Sequence, residues 1–228
     1  MSHDTAANLA TLRNRIATAA THAKRDPNEI TLVAVSKTQS TARVSEAVAD
    51  GQKDFGENYL QEALEKIAAL RAHELVWHFI GPIQSNKTRD IATHFDWVHS
   101  VDRLKIARRL SDQRADDQPA LNICLQVNIS DESSKAGIAA DEAADLAAEI
   151  NALPRLSLRG LMAIPAPANS QDEQRRPFAA LRKLNESLRG NGIDAQELSM
   201  GMTDDLEAAI AEGATLIRVG TAIFGSRN

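Results

Sequence analysis

Ile30-Thr31-Leu32-Val33-Ala34-Val35-Ser36-Lys37-Thr38 is the stretch on which the fold turns. Its run of aliphatic and β-branched residues reads as a strand buried on both faces. No glycine follows it. An open, doubly wound sheet built to hold a dinucleotide carries a glycine-rich turn at this place, so Val35-Ser36-Lys37-Thr38 counts against that architecture. The strand ends instead on a lysine.

Working outward, short apolar runs alternate with alanine-rich amphipathic runs. Strands are predicted at Ile30–Val35, Lys53–Phe55, Leu75–Ile80, Trp97–Ser100, Leu121–Val127, Ser157–Met162, Ala195–Leu198 and Leu216–Val219. The helices between them are Thr41–Asp50, Tyr59–Ala72, Ser85–Ile91, Arg103–Ala115, Asp141–Ala152, Asp172–Gly190 and Asp204–Glu212, and Thr5–Lys24 precedes the first strand. Strand followed by helix, about eight times in one chain, predicts a TIM-type (β/α)8 barrel with an extra N-terminal helix. Residues 1–228 are expected to form one domain, with Ile164-Pro165-Ala166-Pro167-Ala168-Asn169-Ser170 as a strand-to-helix loop on the functional face.

Composition narrows the function. Hydrophobic residues make up 43% and charged residues 25%, and the net charge is −5. No concentrated basic face is available for a phosphate backbone, so nucleic acid is not an expected partner. No apolar run reaches membrane-spanning length. The opening Met1-Ser2-His3-Asp4 has no basic-then-apolar leader, and cytoplasmic residence is expected. The one cysteine, Cys124, lies in the apolar run Leu121–Ile129 and is expected to be a buried, inert thiol. The six histidines show no metal-binding spacing.

Chemistry concentrates at three places. Lys37 carries an amine that attacks a carbonyl once deprotonated. Two late loops, Ser199-Met200-Gly201-Met202 and Gly220-Thr221, stand where such barrels bind phosphate. Their hydroxyls and glycines suit that task, and a helix from Asp204 would point its N-terminus the same way. Asp204 with Glu207 fits a capping box, as does Asn58 with Gln61. Alternation in the last strand places Leu216, Arg218 and Gly220 on one side, with Arg218 directed into the barrel mouth. A buried arginine needs a partner, either a carboxylate or a ring nitrogen of a ligand. Because arginine keeps its proton, it would leave a pyridine nitrogen unprotonated. His78, inside an apolar strand, is expected to be a satisfied core residue, Lys135 an exposed loop charge and Met162 a packing residue. A lysine at one strand end with two phosphate-binding loops suits a phosphorylated aldehyde.

Five blocks recur together in one family: Ala34-Val35-Ser36-Lys37-Thr38, Phe55-Gly56-Glu57-Asn58-Tyr59, Trp77 through Lys87 (WHFIGPIQSNK), Leu198 through Asp205 (LSMGMTDD) and Arg218 through Gly225 (RVGTAIFG). The chain closely resembles the pyridoxal 5'-phosphate (PLP) homeostasis proteins of the YggS/PROSC type over nearly its whole length. Ile83 stands where many members have leucine. The resemblance implies the barrel of the alanine racemase N-terminal domain, standing alone, with Lys37 holding PLP as a Schiff base. It implies that Ser199, Gly220 and Thr221, with backbone at Met200 and Gly201, bind the phosphate. Arg218 would face the pyridine nitrogen, Asn58 the phenolic side and Met162 the ring. Lys135 matches a second lysine implicated in PLP transfer.

The implied function is to carry and buffer PLP without substrate turnover, as a monomer, with apo forms of PLP-dependent enzymes as acceptors. The alternative is an amino-acid racemase. Racemases of this type draw a second base, a tyrosine, from a separate C-terminal domain, whereas the only tyrosine here is Tyr59. A lysine Schiff-base aldolase without PLP would leave Arg218 without a role.

Overall fold

The computed structural model describes residues 4–130 and 136–225. Its eight strands are β1 (Thr31–Val35), β2 (Asp54–Glu57), β3 (Val76–Phe79), β4 (Trp97–Val101), β5 (Leu121–Gln126), β6 (Leu156–Met162), β7 (Glu197–Ser199) and β8 (Leu216–Val219). They run parallel in sequence order, and β8 pairs back onto β1 with Val33 opposite Arg218, closing the barrel. The outer helices are α1 (Thr5–His22), α2 (Thr41–Ala49), α3 (Leu60–Ala69), α4 (Thr88–His94), α5 (Leu104–Gln113), α6 (Ala143–Asn151), α7 (Gln171–Gly190), α8 (Leu206–Ala211) and α9 (Thr221–Phe224).

Alternation along each strand sorts residues into two cores. Ala34, Phe55, Phe79, Val98, Ile123, Leu198 and Ile217 face the helices and merge into one large cluster with residues such as Ile106 and Leu110 of α5. Val33, Cys124, Met162 and Leu216 form a second, small cluster inside the barrel. Leu216 and Arg218 therefore face inward and Ile217 and Val219 outward, as the period of two demands. β5 and β6 slip register between Ile123 and Cys124, which leaves Leu158 and Leu161 both among the outer cluster.

The N-terminal helix occupies the outer ring between α8 and α2. Arg15 binds the Glu207 carboxylate, Asn8 donates to the Ile223 carbonyl at 2.9 Å, and Thr5 donates to Glu46 at 3.0 Å. Arg25, just beyond the helix, closes the far end on the carbonyls of Ile210 and Ala214.

Several local expectations are corrected. The expected strand Ala195–Leu198 begins two residues later, because Ala195 is held in a turn by its N–H to the Ile193 carbonyl. The expected helix Ser85–Ile91 splits into a 3-10 turn over Ser85–Lys87 and the helix α4. The Asn58–Gln61 capping box does not form: Tyr59 is the N-cap of α3, without a side-chain cap bond. Nor does the Asp204–Glu207 box form. Glu207 is spent on Arg15, and the Asp205 carboxylate accepts from the Met202 N–H at 2.6 Å, which keeps 202–205 in a turn and delays α8 to Leu206. The short helix α9 was not expected. Among the described residues no helix is long and apolar enough to cross a membrane.

Candidate cofactor site

At the carboxyl ends of the strands a cavity of about 310 Å³ opens to solvent. Its polar wall includes Lys37, Asn58, Thr203, Asp204, Arg218 and Thr221, and Val35, Ile80, Ile164 and Met202 supply the apolar wall. The loop after β6 reaches the cavity through Ile164, so it lies on the face where it was expected.

Lys37 is aimed by a tight turn. Inward-facing Val33 and Val35 set its phase, and the Gln39 N–H closes back on the Ser36 carbonyl at 3.0 Å. Thr38 adopts φ +64°, a region that a β-branched residue enters only under constraint. The constraint is its N–H, which donates to the Glu62 carboxylate at 2.9 Å. Behind the turn lies a buried ion pair that sequence reasoning missed. The Lys66 ammonium donates to Glu57 Oε1 and to the Ser36 carbonyl, both at 2.7 Å, while the Ser36 hydroxyl donates to Glu57 Oε1 at 2.6 Å. Lys66 is 4% exposed and Glu57 not at all. Burial pushes the Glu57 carboxyl above its ordinary value, and the bonds from Lys66 and Ser36 pull it back. The pair pins the peptide that carries Lys37. Its only sequence signal was Glu57 inside Gly56-Glu57-Asn58; nothing local marked Lys66.

Arg218 is buried without a carboxylate partner among the described ion pairs. Nη1 donates to Ser199 Oγ at 2.6 Å and Nη2 to the Ala163 carbonyl at 3.0 Å. Desolvation pushes the guanidinium down to about 10, which still leaves it cationic at neutral pH. Asn58 carries a buried Oδ1 with no hydrogen-bond partner. A buried amide oxygen left in this state is costly unless a ligand meets it. Asn58 is placed by Gly81: a Cβ there would lie 2.4 Å from the Asn58 carbonyl oxygen, so only glycine lets the two loops approach.

The other expected residues sit lower. Ser199 is fully buried, holding Arg218 and accepting or donating at His99 Nδ1, 2.7 Å away. Met200 is buried in the outer core, and its N–H is spent on the Leu216 carbonyl at 3.2 Å. Gly201 has φ +93° and packs against Ala209 and Ile217, where a Cβ would clash at 2.6 and 2.9 Å. Met162 packs in the barrel interior with Cys124. None of these four is among the residues that line the cavity; Gly220 and Thr221 are, together with Thr203, the hydroxyl that sequence reasoning passed over within its own quoted motif. Lys135 lies outside the described residues. His78 is a satisfied core histidine, bonded to His99 and Asp54. Cys124 is buried, and desolvation raises its thiol far above the ordinary value. No cluster of metal-binding side chains occurs among the described residues.

A closed parallel barrel with a lysine at the end of β1 and an arginine in β8 is one class of protein, and the comparisons give it a family. The family described as alanine racemase, N-terminal domain, matches residues 7–228. The pyridoxal phosphate homeostasis protein of Pseudomonas aeruginosa is 59% identical over 98% of this chain and 96% of its own. That of Escherichia coli K12 is 52% identical over 99% and 98%. The structure of PipY from Synechococcus elongatus with PLP bound superposes with a TM-score of 0.85 at 37% identity, covering 97% of this chain and all of that one (100%). The alanine racemase of Corynebacterium glutamicum shares the fold at a TM-score of 0.69 and 17% identity, with 62% of its chain covered. The chain belongs to the alanine racemase N-terminal domain family, among the pyridoxal phosphate homeostasis proteins.

Proposed function

We propose that this chain binds PLP in the cavity above β1 and β8, tethered through Lys37, and holds it for delivery rather than for turnover of a substrate. The observation that carries the reading is the joint lining of one cavity by a lysine amine, a donor-only guanidinium, an orphaned amide and the threonines Thr38, Thr203 and Thr221. These residues fit the group. When bound, PLP supplies an aldehyde and a visible chromophore. Lys37 is the nucleophile that holds it covalently. The Thr203 and Thr221 hydroxyls and the backbone at Gly220 bind the phosphate; Ser199, committed to Arg218, supports them from below. Arg218 presents N–H donors toward a ring nitrogen and does not give up a proton to it. Asn58 offers both an acceptor and donors to the phenolic edge.

The homeostasis names of the relatives and the PLP bound in PipY support the same reading. Tyr59, the only tyrosine, is 51% exposed at the start of α3 and does not line the cavity, so it is badly placed as a racemase base. We further infer a single-domain, cytoplasmic monomer whose acceptors are apo forms of PLP-dependent enzymes. Titration of the purified protein with PLP is expected to raise a visible absorbance band that Lys37→Ala abolishes. Loaded protein is expected to restore activity to an apo-enzyme while turning over no amino acid itself. Failure of the wild type to develop the band refutes binding, and steady racemisation refutes the carrier role.

A further inference from the structure

A chain of hydrogen bonds runs through the barrel interior from one mouth to the other. Asp54, at the amino end of β2, faces His78 Nε2 at 3.0 Å. His78 Nδ1 meets His99 Nε2 at 2.9 Å, and His99 Nδ1 meets Ser199 Oγ at 2.7 Å. Ser199 Oγ accepts from Arg218 Nη1 at 2.6 Å, and Arg218 lines the cofactor cavity. The five residues come from β2, β3, β4, β7 and β8. Both histidines and Ser199 are fully buried, whereas the Asp54 side chain keeps 26% exposure at the opposite end.

The chemistry of the two ends dictates the polarity of everything between them. Arginine has only donors and an ionised carboxylate only acceptors. Arg218 donates to Ser199, which leaves the Ser199 hydroxyl hydrogen for His99 Nδ1. His99 then carries its proton on Nε2 and donates to His78 Nδ1. His78 likewise carries its proton on Nε2 and donates to Asp54. In the reversed direction the Ser199 hydrogen would lose its acceptor, and His78 would either turn a lone pair on the carboxylate or become an imidazolium. His99 itself does not take the charge: burial, then His78 and Arg218, push it well below its ordinary value. The trimmed, one-directional arrangement satisfies every member.

We propose that His99 is a positioning residue for the bound cofactor: acting through Ser199, and itself oriented by His78 and Asp54, it locks the Arg218 guanidinium in the orientation that meets the ring nitrogen. This assignment rests on the PLP reading above. Ser199 alone does not hold a single orientation, because a hydroxyl rotates. With His99 Nδ1 as its fixed acceptor, the oxygen keeps a lone pair on Arg218. The Ala163 carbonyl fixes the second guanidinium nitrogen.

The test has a cofactor-free arm and a loaded arm. In the unloaded protein, 15N spectra of the imidazoles are expected to show His78 and His99 neutral, both as the Nε2–H tautomer. An Nδ1–H tautomer or an imidazolium at either ring overturns the chain's direction and the proposal with it. In the loaded arm, PLP is titrated by absorbance into the wild type, His99→Asn and His99→Leu. Asparagine keeps an acceptor close to the position of Nδ1; leucine removes it. The expected result is about tenfold weaker PLP binding and a displaced visible band for His99→Leu, with His99→Asn within about twofold of wild type, in line with the loss or retention of one bond to a charged donor. Wild-type binding by His99→Leu overturns the proposal, as does equal impairment of the two variants, which marks a purely structural role. Wild-type protein that shows the expected tautomers yet binds no PLP refutes the cofactor reading, and the positioning role falls with it.

Discussion

Lys66→Met tests whether the ion pair behind Lys37 works as described. The substitution keeps the aliphatic stem and removes the ammonium from a site where Glu57 is wholly buried and its Oε2 already lacks a partner. Glu57 would be left with the Ser36 hydroxyl alone. Breaking a buried pair from one side costs about 3–5 kcal/mol at neutral pH, because the remaining charge is uncompensated. For a chain of this size that lowers the melting temperature by about 6–20 °C. The pH dependence identifies the cause. Burial already holds the Glu57 carboxyl above its ordinary value, and Lys66 is among the groups pulling it down, so the variant's carboxyl rises further. A carboxyl raised in the folded state binds its proton more tightly there than in the unfolded chain. Its stability contribution is thus full below the unfolded value of 4.5 and is lost as pH rises through the folded value. The penalty of the variant, relative to wild type, is therefore expected to be smaller at pH 5 than at neutral pH. Urea unfolding of both proteins at the two pH values measures it. Equal penalties at both would show that Glu57 is not the charged partner, and a penalty under about 1 kcal/mol at neutral pH would show that the pair carries little.

Two shorter predictions concern other parts of the barrel. Gly81→Ala sets a methyl against Asn58 backbone at 2.4 and 2.7 Å, so it is expected to displace Asn58 and weaken PLP binding at least tenfold, at a stability cost of about 1–3 kcal/mol; unchanged affinity in the absorbance titration would contradict the placement of Asn58. Cys124, buried with its thiol strongly raised, should resist alkylation in the folded protein and label fully in urea; mass spectrometry showing rapid labelling of native protein would contradict the burial.

The parts of this fold that were legible are those that repeat locally. Strand and helix periods identified all eight strands, and the same period of two placed Arg218 and Leu216 inside the barrel and Ile217 outside. The missing glycine after β1 counted against the open sheet, and the barrel is closed. Local signals misled where a distant partner outbid a near one. Asn58 has the chemistry of an N-cap, yet Gly81 from the next loop holds it at the cavity. Glu207 has the chemistry of a capping-box residue, yet Arg15 on the N-terminal helix claims it. Ser199 was expected to bind phosphate, and Thr203, four residues on, was passed over. Their difference in height is set by β7 ending at Ser199, which puts that hydroxyl beside His99 and Arg218 and leaves Thr203 at the cavity wall.

By itself the amino-acid order determined a parallel barrel, a lysine at the end of its first strand and an arginine turned inward from its last. Each of these is read from a pattern that repeats within a few residues of the chain. Tertiary structure alone decided which polar groups meet: Lys66 with Glu57 behind the lysine, and Asp54, His78, His99 and Ser199 in one line beneath the arginine. The bond from Ser199 to His99 joins residues 100 positions apart, and a contact of that kind exists only once the barrel has closed.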